Sequence, residues 1–158
     1  MRVIFPGSFN PITYGHLDLI KRLAVLFDDV VVVVSGSDNN KVPVDIRKKL
    51  VEIACVDISN VSIVSHAGLM VDCVAKFKAS LIVRGVRSGD DLAYENNMAN
   101  MNAQLGGGIE TLLLPTSPNL SHISSSLVRQ VLISHGDASS FVPKKVLNFI
   151  KTEGYYGS

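Results

Sequence analysis

The chain has 158 residues, of which 47% are hydrophobic and 18% charged, and this size and composition fit one globular domain over residues 1–158. With 15 basic and 14 acidic residues the formal net charge is only +1, so the protein has no overall field that would recruit a nucleic acid or an anionic membrane. The longest aliphatic run, residues 30–34, is far shorter than the roughly 20 residues that a membrane-spanning helix needs. Residues 1–7 turn to proline and glycine before a signal peptide would form its apolar region. We therefore expect a cytoplasmic protein.

Short aliphatic runs alternate along the chain with segments of helical periodicity. The runs at residues 3–5, 30–35, 61–64, 81–83 and 112–114 predict five strands. Residues 30–34 are valines without polar alternation, which is typical of a parallel strand covered on both faces. Apolar spacing predicts helices over residues 17–27, 46–54 and 71–77, after residue 91, and over residues 124–134 and 143–151, with Pro143 at a first helical position. This alternation predicts an α/β fold, a doubly wound, Rossmann-like five-stranded parallel sheet with helices on both faces.

Glycine and cysteine add structural rather than chemical expectations. The run Gly106-Gly107-Gly108 is expected to end the preceding helix, because glycine adopts positive φ without a steric penalty. Cys55 and Cys73 lie in helical segments with apolar neighbours, so we interpret them as small core side chains, with a disulfide or a metal site as the alternative.

The loop after the first predicted strand has the outline of a phosphate site. Gly7 would let the backbone approach a ligand, Ser8 offers a hydroxyl and an amide, and a helix starting near His16 would present free N–H groups and a positive dipole end. The spacing of a P-loop and that of a GxGxxG turn are both missing. A histidine in this place suits charge stabilisation in phosphoryl transfer, and a capping or surface role is the alternative.

Two motifs give the loop a family resemblance. Residues 13–16 match the (His/Thr)-x-Gly-His pattern of the nucleotidyltransferase superfamily, and residues 123–129 match its ISSSxxR pattern. The RGxR element at residues 84–87 and Tyr94-Glu95 follow in the order and spacing of bacterial phosphopantetheine adenylyltransferases. The chain thus resembles this family over nearly its whole length. The family usually has Thr, Asp, Asn and an aromatic residue where this chain has Ser8, Asn10, Tyr14 and Val44.

The resemblance implies a role for each matching residue. It implies catalytic roles for His16, Lys41 and Arg87. It implies that the acceptor is bound by Ser8, Lys41, Met70, Arg84 and Asn102. It implies ATP contacts, direct or through the backbone, for Ser8, Phe9, His16, Gly85, Val86, Arg87, Glu95, Leu120, Ser121, His122, Ile123, Ser124, Ser125 and Ser126.

Each role has a structural alternative that the sequence leaves open. One serine of the triplet would suffice as a helix cap. The two arginines of the RGxR element could pair with Asp90 or Asp91, and Lys41 could be a solvated loop lysine. Met70 could belong to the core and Glu95 to a solvated face.

The expected reaction is transfer of AMP from ATP to 4'-phosphopantetheine, which would give dephospho-coenzyme A and pyrophosphate. The acceptor phosphate is already ionised, so the reaction needs positioning and charge stabilisation rather than a general base. Mg²⁺ is expected to arrive on ATP, because Asn10 replaces the carboxylate and His66, His122 and His135 lack metal-ligand spacing. No protein metal ligand is therefore expected.

Other readings of the same motifs remain open. Another acceptor, nicotinamide mononucleotide or glycerol 3-phosphate, is the first alternative, and a nucleotide-binding module without turnover is the second. The expected partners are ATP and 4'-phosphopantetheine, with no nucleic acid or membrane, and the resemblance implies a homohexamer.

Overall fold

The computed structural model describes residues 1–36 and 41–157. Over these residues it has one five-stranded sheet of β1 (Arg2–Gly7), β2 (Asp29–Ser35), β3 (Val61–His66), β4 (Leu81–Val86) and β5 (Glu110–Pro115). Its helices are α1 (Tyr14–Leu26), α2 (Val44–Ala54), α3 (Met70–Phe77), α4 (Gly89–Leu105), α5 (Ser125–Ile133) and α6 (Lys144–Glu153). Short 3₁₀ turns lie at Pro118–Leu120 and Tyr155–Gly157. The predicted strands and helices are all confirmed.

All strand pairs are parallel, and the strand order is β3-β2-β1-β4-β5. The chain therefore proceeds outward from β1 to β3 on one side and returns to pair β4 with the other edge of β1. In such sheets the crevice where the order reverses, beyond the carboxyl ends of the strands, is the usual ligand site. Here that crevice lies between β1 and β4.

Hydrophobic cores on both faces of the sheet confirm the doubly wound fold. The larger core joins β1 and β2 to α1, α2, α5 and α6, and includes Leu23, Leu50, Val128 and Ile150. The other core contains Ile4, Val31, Val33, Cys73, Val74 and Ile82, with α3 covering the strands. Among the described residues, no helix is both long enough and apolar enough to cross a membrane.

The structure refines two predictions about where helices begin and end. The α4 helix ends at the C-cap Gly106, which has φ −100°, and positive φ occurs at Gly107 and Gly108, with values of 64° and 98°. Pro143 is the N-cap of α6 rather than its first helical residue, which is a correction of one position.

Cys55 and Cys73 are free and buried, so the core prediction is confirmed.

Candidate active site

Two adjoining depressions of about 350 and 310 Å³ open at the carboxyl ends of β1 and β4. They share Pro6, Gly7, Ser8 and Arg84, so one surface passes continuously from one to the other. We call the larger the phosphate depression. Its lining includes Thr13, Gly15, His16, Gly85, Arg87, Ile123, Ser124, Ser125, Ser126 and Arg129. We call the smaller the arm depression, and its lining includes Met70, Tyr94, Glu95, Met98 and Asn102.

His16 is held in one orientation by the start of its own helix. Thr13 is the N-cap of α1, and its backbone N–H donates to His16 Nδ1 over 3.1 Å. Its hydroxyl accepts from the His16 backbone N–H over 3.4 Å, which completes a reciprocal capping box. Because Nδ1 is an acceptor, a neutral imidazole must carry its proton on Nε2. Nε2–H is therefore the donor left for the phosphate depression.

The surroundings of His16 keep its ring neutral. Burial, followed by the nearby charges of Arg87 and Arg84, lowers the pKa of His16 from 6.5 to about 4. The buried Phe9 ring packs edge-on against the imidazole with centroids 5.1 Å apart, and Phe9 has φ 45°. This side chain excludes water from one side of the histidine. Phe9 was predicted to contact ATP directly or through its backbone; its ring lies in the core beneath His16, and the ATP contact stays a prediction.

Arg87 follows β4 and faces the triple-serine helix. Its Nη1 donates to the carbonyl of Ile123 over 3.2 Å, and its Nε lies 3.6 Å from Asp91 Oδ2. The Asp91 carboxylate also accepts from the Arg87 backbone N–H over 3.0 Å. The salt-bridge alternative is therefore partly right for Arg87. The same contacts hold the guanidinium at the rim of the phosphate depression, where it can also meet an anion.

Arg84 forms its ion pair with Glu95, whereas Asp90 or Asp91 was the partner expected from the sequence. Its Nε and Nη2 donate to the two oxygens of Glu95 over 2.8 and 2.7 Å, and its Nη1 donates to the Pro6 carbonyl over 2.5 Å. Glu95 is buried, so its interpretation as a solvated residue is wrong. Glu95 lines the arm depression and not the phosphate depression. Its direct contact with ATP stays a prediction, and its visible role is to orient Arg84.

The serine triplet surrounds the N-terminus of α5. Ser124 is the N-cap and accepts from the Leu127 N–H over 3.2 Å. The Ser125 hydroxyl donates to the Pro11 carbonyl over 2.8 Å, which ties α5 to the loop after β1. Ser126 is exposed beside Arg129, at 3.4 Å from Nη2. The cap interpretation therefore holds for Ser124, and the free N–H groups of the helix and the Ser126 hydroxyl face the phosphate depression.

The structure separates the predicted acceptor residues. Met70 and Asn102 line the arm depression, and Met70 also packs against the smaller core. Lys41 is exposed and lines a neighbouring depression with Asn10 and Arg129. Lys41 lines neither the phosphate depression nor the arm depression, and Arg129 lines both the phosphate depression and the depression of Lys41.

The remaining predicted nucleotide residues are divided between the phosphate depression, a neighbouring depression and positions that line neither. Gly85 belongs to its lining, and a Cβ there would lie 2.4 Å from Leu19 Cδ1, so glycine is the residue that keeps this wall open. His122 lines a further, apolar depression of about 260 Å³ that shares Ile123 and Ser124 with the phosphate depression. Three of the predicted residues, Val86, Leu120 and Ser121, line neither of these two depressions.

Two residues around the site carried no predicted role. Arg129 Nη1 donates to the Asn10 carbonyl over 2.7 Å, and the arginine of the ISSSxxR motif was the signal for it. Arg47 is buried beneath the loop after β1. Its spacing of three and four residues from Leu50 and Val51 places it on the apolar face of α2, and this spacing could have indicated its burial from the sequence.

The sequence of this chain is similar to proteins of one known family. Residues 4–131 match the family model described as cytidylyltransferase-like. Relatives named phosphopantetheine adenylyltransferase include one from Clostridium perfringens, 45% identical over 93% of this chain and 92% of the relative. Others come from Prochlorococcus marinus, 42% identical over 96% of each chain, and Campylobacter jejuni, 39% identical over 97% and 98%. The chain belongs to the phosphopantetheine adenylyltransferase family.

A solved structure supports the fold independently. A candidate nicotinate-nucleotide adenylyltransferase from Vibrio parahaemolyticus superimposes with a TM-score of 0.75 over 99% of this chain and 95% of that one. Its sequence is 22% identical, so this likeness concerns the α/β fold alone. The family model and the relatives at 39–45% identity confirm the predicted resemblance, and the individual residue roles stay predictions.

Proposed function

We propose that the protein transfers the adenylyl group of ATP to the phosphate of 4'-phosphopantetheine, giving dephospho-coenzyme A and pyrophosphate. The observation that carries this proposal is the grouping around one depression of a neutral His16, Arg84, Arg87 and the N-terminus of α5. Every one of these groups donates hydrogen bonds. Relatives of this name at 39–45% identity support the choice of substrates.

The reaction is an in-line displacement at the α-phosphorus of ATP. An oxygen of the acceptor phosphate forms the new P–O bond while the bond to pyrophosphate breaks, and the electron pair leaves with pyrophosphate. The attacking phosphate is ionised, so no base has to remove a proton. Charge grows on the α-phosphoryl oxygens and on the leaving group. A neutral histidine can stabilise that charge by donating Nε2–H without itself losing or gaining a proton.

The two depressions divide the substrates between them. We assign the ATP phosphates to the phosphate depression, with Arg87 and the N-terminus of α5 as donors. The arm depression, lined by Met70 and Asn102, suits the pantetheine arm. Arg84 lines both depressions, and its bonds to Glu95 and Pro6 leave one N–H free on each Nη. That geometry supports a role for the oriented guanidinium between the acceptor phosphate and ATP.

We also propose that Mg²⁺ arrives with ATP rather than on the protein. Among the described residues the lining of the phosphate depression contains no carboxylate, and no group of three or more His, Cys, Asp or Glu side chains is placed to hold a metal ion. Mg²⁺ readily keeps its waters and binds through substrate phosphates. In this proposal MgATP is the substrate.

Two properties of the working enzyme complete the proposal. We propose a homohexamer because the family resemblance implies one, and large apolar side chains exposed on α4 and β5 would supply subunit contacts, namely Leu92, Tyr94, Met101, Leu105 and Leu112. A cytoplasmic location is supported by the unpaired thiols of Cys55 and Cys73, since disulfides are rare in that reducing compartment.

The test is pyrophosphate release from MgATP with one acceptor at a time. We expect release with 4'-phosphopantetheine and not with nicotinamide mononucleotide or glycerol 3-phosphate. Pantetheine, which lacks the attacking phosphate, is the matched control and should give none. Release with another acceptor alone would keep the chemistry and overturn the substrate assignment. Binding of ATP without any release would favour a nucleotide-binding module.

A further inference from the structure

Arg47 is buried in a position where a positive charge has an unfavourable electrostatic free energy. Its side chain is 1% exposed, and it lies within the first turns of α2, where the helix dipole disfavours positive charge. No carboxylate among residues 1–36 and 41–157 forms an ion pair with it. Burial lowers the pKa of Arg47 below its usual value. Packing alone would be served by methionine or leucine, so the charge itself calls for an explanation.

The nearest titratable neighbour does not neutralise this charge. Tyr156 is close enough to interact electrostatically with Arg47, and burial raises the pKa of its phenol well above the usual value. The phenol therefore stays protonated at neutral pH and carries no negative charge. The positive charge of Arg47 thus remains without a compensating anion on the described part of the chain.

The guanidinium connects three backbone segments that meet behind the acceptor residues. Its Nη1 donates to the carbonyls of Ser8 and Ser35 over 2.6 and 2.9 Å, and its Nε donates to the carbonyl of Val42 over 3.0 Å. The family resemblance implies acceptor binding by Ser8 and by Lys41, the residue next to Val42. One side chain therefore sets the distance between the loop after β1 and the segment that carries Lys41.

We propose that Arg47 is a positioning residue for the acceptor phosphate. It fixes Ser8 relative to the segment that carries Lys41 and adds a buried positive charge behind these two residues. The proposal rests on the proposed function, because that function supplies the acceptor. A bound dianion would also offset the electrostatic cost of the buried cation, which explains why an arginine occupies a position on the apolar face of α2.

The test compares Arg47→Met and Arg47→Lys with Lys49→Met. Lys49 is exposed on the same helix, so its substitution removes an equal charge without disturbing the buried contacts. For Arg47→Met we expect the KM for 4'-phosphopantetheine to rise at least about tenfold, which corresponds to about 1.4 kcal/mol. The KM for ATP should change by less than about threefold by the same scale. Arg47→Lys keeps the charge without the planar fork and should fall between wild type and Arg47→Met.

A second measurement separates positioning from a purely structural role. In Arg47→Ala, guanidinium ion at low, non-denaturing concentration should enter the vacated space and lower the acceptor KM, with no such effect on wild type or Lys49→Met. Thermal unfolding of each variant shows how much folded protein is present. If Arg47→Met fails to fold, the test is made on Arg47→Lys, in which the KM for 4'-phosphopantetheine should rise more than the KM for ATP.

Three results would overturn the inference. They are an equal rise of both KM values, an unchanged acceptor KM with a lower Tm, or the same acceptor KM change in Lys49→Met. Failure of the proposed function would look different, because wild type itself would then release no pyrophosphate with 4'-phosphopantetheine. In that case the same comparison would be made with whichever acceptor wild type does use.

Discussion

Comparing glutamine with alanine at position 16 separates the two roles of His16, which are to cap α1 and to stabilise the transition state. In the wild-type protein His16 Nδ1 accepts the Thr13 backbone N–H over 3.1 Å, as the third residue of a capping box. Glutamine is an ordinary residue at that position of a capping box, since its side-chain oxygen can accept the same N–H. His16→Gln should therefore keep the cap and exchange the ring Nε2–H, which has a fixed direction, for a flexible side-chain amide N–H. His16→Ala should lose both the cap and any side-chain donor.

The two losses differ enough in size to be told apart. Removing one donor that stabilises transition-state charge costs about 100- to 1,000-fold in kcat, or about 2.7–4 kcal/mol. Removing a cap costs about 1 kcal/mol of stability. We therefore expect His16→Ala to lose kcat by this factor and His16→Gln to lose less, because its amide retains an N–H donor. The free energy of unfolding should fall by about 1 kcal/mol in His16→Ala and stay near the wild-type value in His16→Gln.

The assay pairs saturating turnover with urea unfolding on the same preparations. ATP binding, measured by calorimetry, should survive in His16→Gln, because the remaining phosphate donors are Arg87 and the α5 N-terminus. A His16→Ala enzyme that keeps more than about a tenth of wild-type kcat would refute the assigned role, since one effective donor is worth more than that. An unstable His16→Gln would instead show that the capping geometry was misjudged.

Three further predictions concern the same region. The pKa of His16 is about 4 in the folded protein against 6.5 ordinarily, so between these values the unfolded chain binds more protons. Wild-type stability should thus fall as pH drops from 6.5 towards 4, by about 1.4 kcal/mol per unit relative to His16→Gln in urea unfolding at each pH. Arg84→Met leaves the buried Glu95 carboxylate unpaired and should destabilise by about 3 kcal/mol, more than Glu95→Gln; the reverse order in urea unfolding would contradict this. In Gly85→Ala the new Cβ meets Leu19, so we expect about 1–2 kcal/mol of destabilisation and a higher KM for ATP. A double-mutant cycle with Leu19→Ala should show less than additive losses, and additivity would argue against the contact.

Most of the fold could be predicted because it depends on patterns that are local in sequence. Valine runs mark strands covered on both faces, and helical spacing marks their connections. The boundaries were harder, as β4 shows. Periodicity ended this strand at residue 83, whereas the ladder continues through Arg84, Gly85 and Val86 opposite β5. Strand pairing is made by backbone groups, so a polar residue or a glycine at the end of a strand does not stop it.

The site was predictable as a set of residues but not as a set of contacts. The motifs named His16, Arg87 and the serines, and these line one depression. The bond between Arg84 and Glu95 joins the end of β4 to the second turn of α4, and it depends on how that helix packs against the sheet. No local pattern contains that information. The Arg47 contacts were missed for the same reason, since Ser8 lies 39 residues away in sequence.

The arginines around this site share one arrangement that suits a reaction without a general base. Arg84 is held by Glu95 and Pro6, Arg87 by the Ile123 carbonyl, and Arg129 by the Asn10 carbonyl. A guanidinium has five N–H donors, so each of these arginines keeps donors for a ligand after its protein bonds are made. Side chains that are already oriented lose little further entropy when phosphates bind, and they need not rearrange as charge develops. For a displacement between two ionised phosphates, such fixed donors supply the positioning and charge stabilisation on which the rate depends.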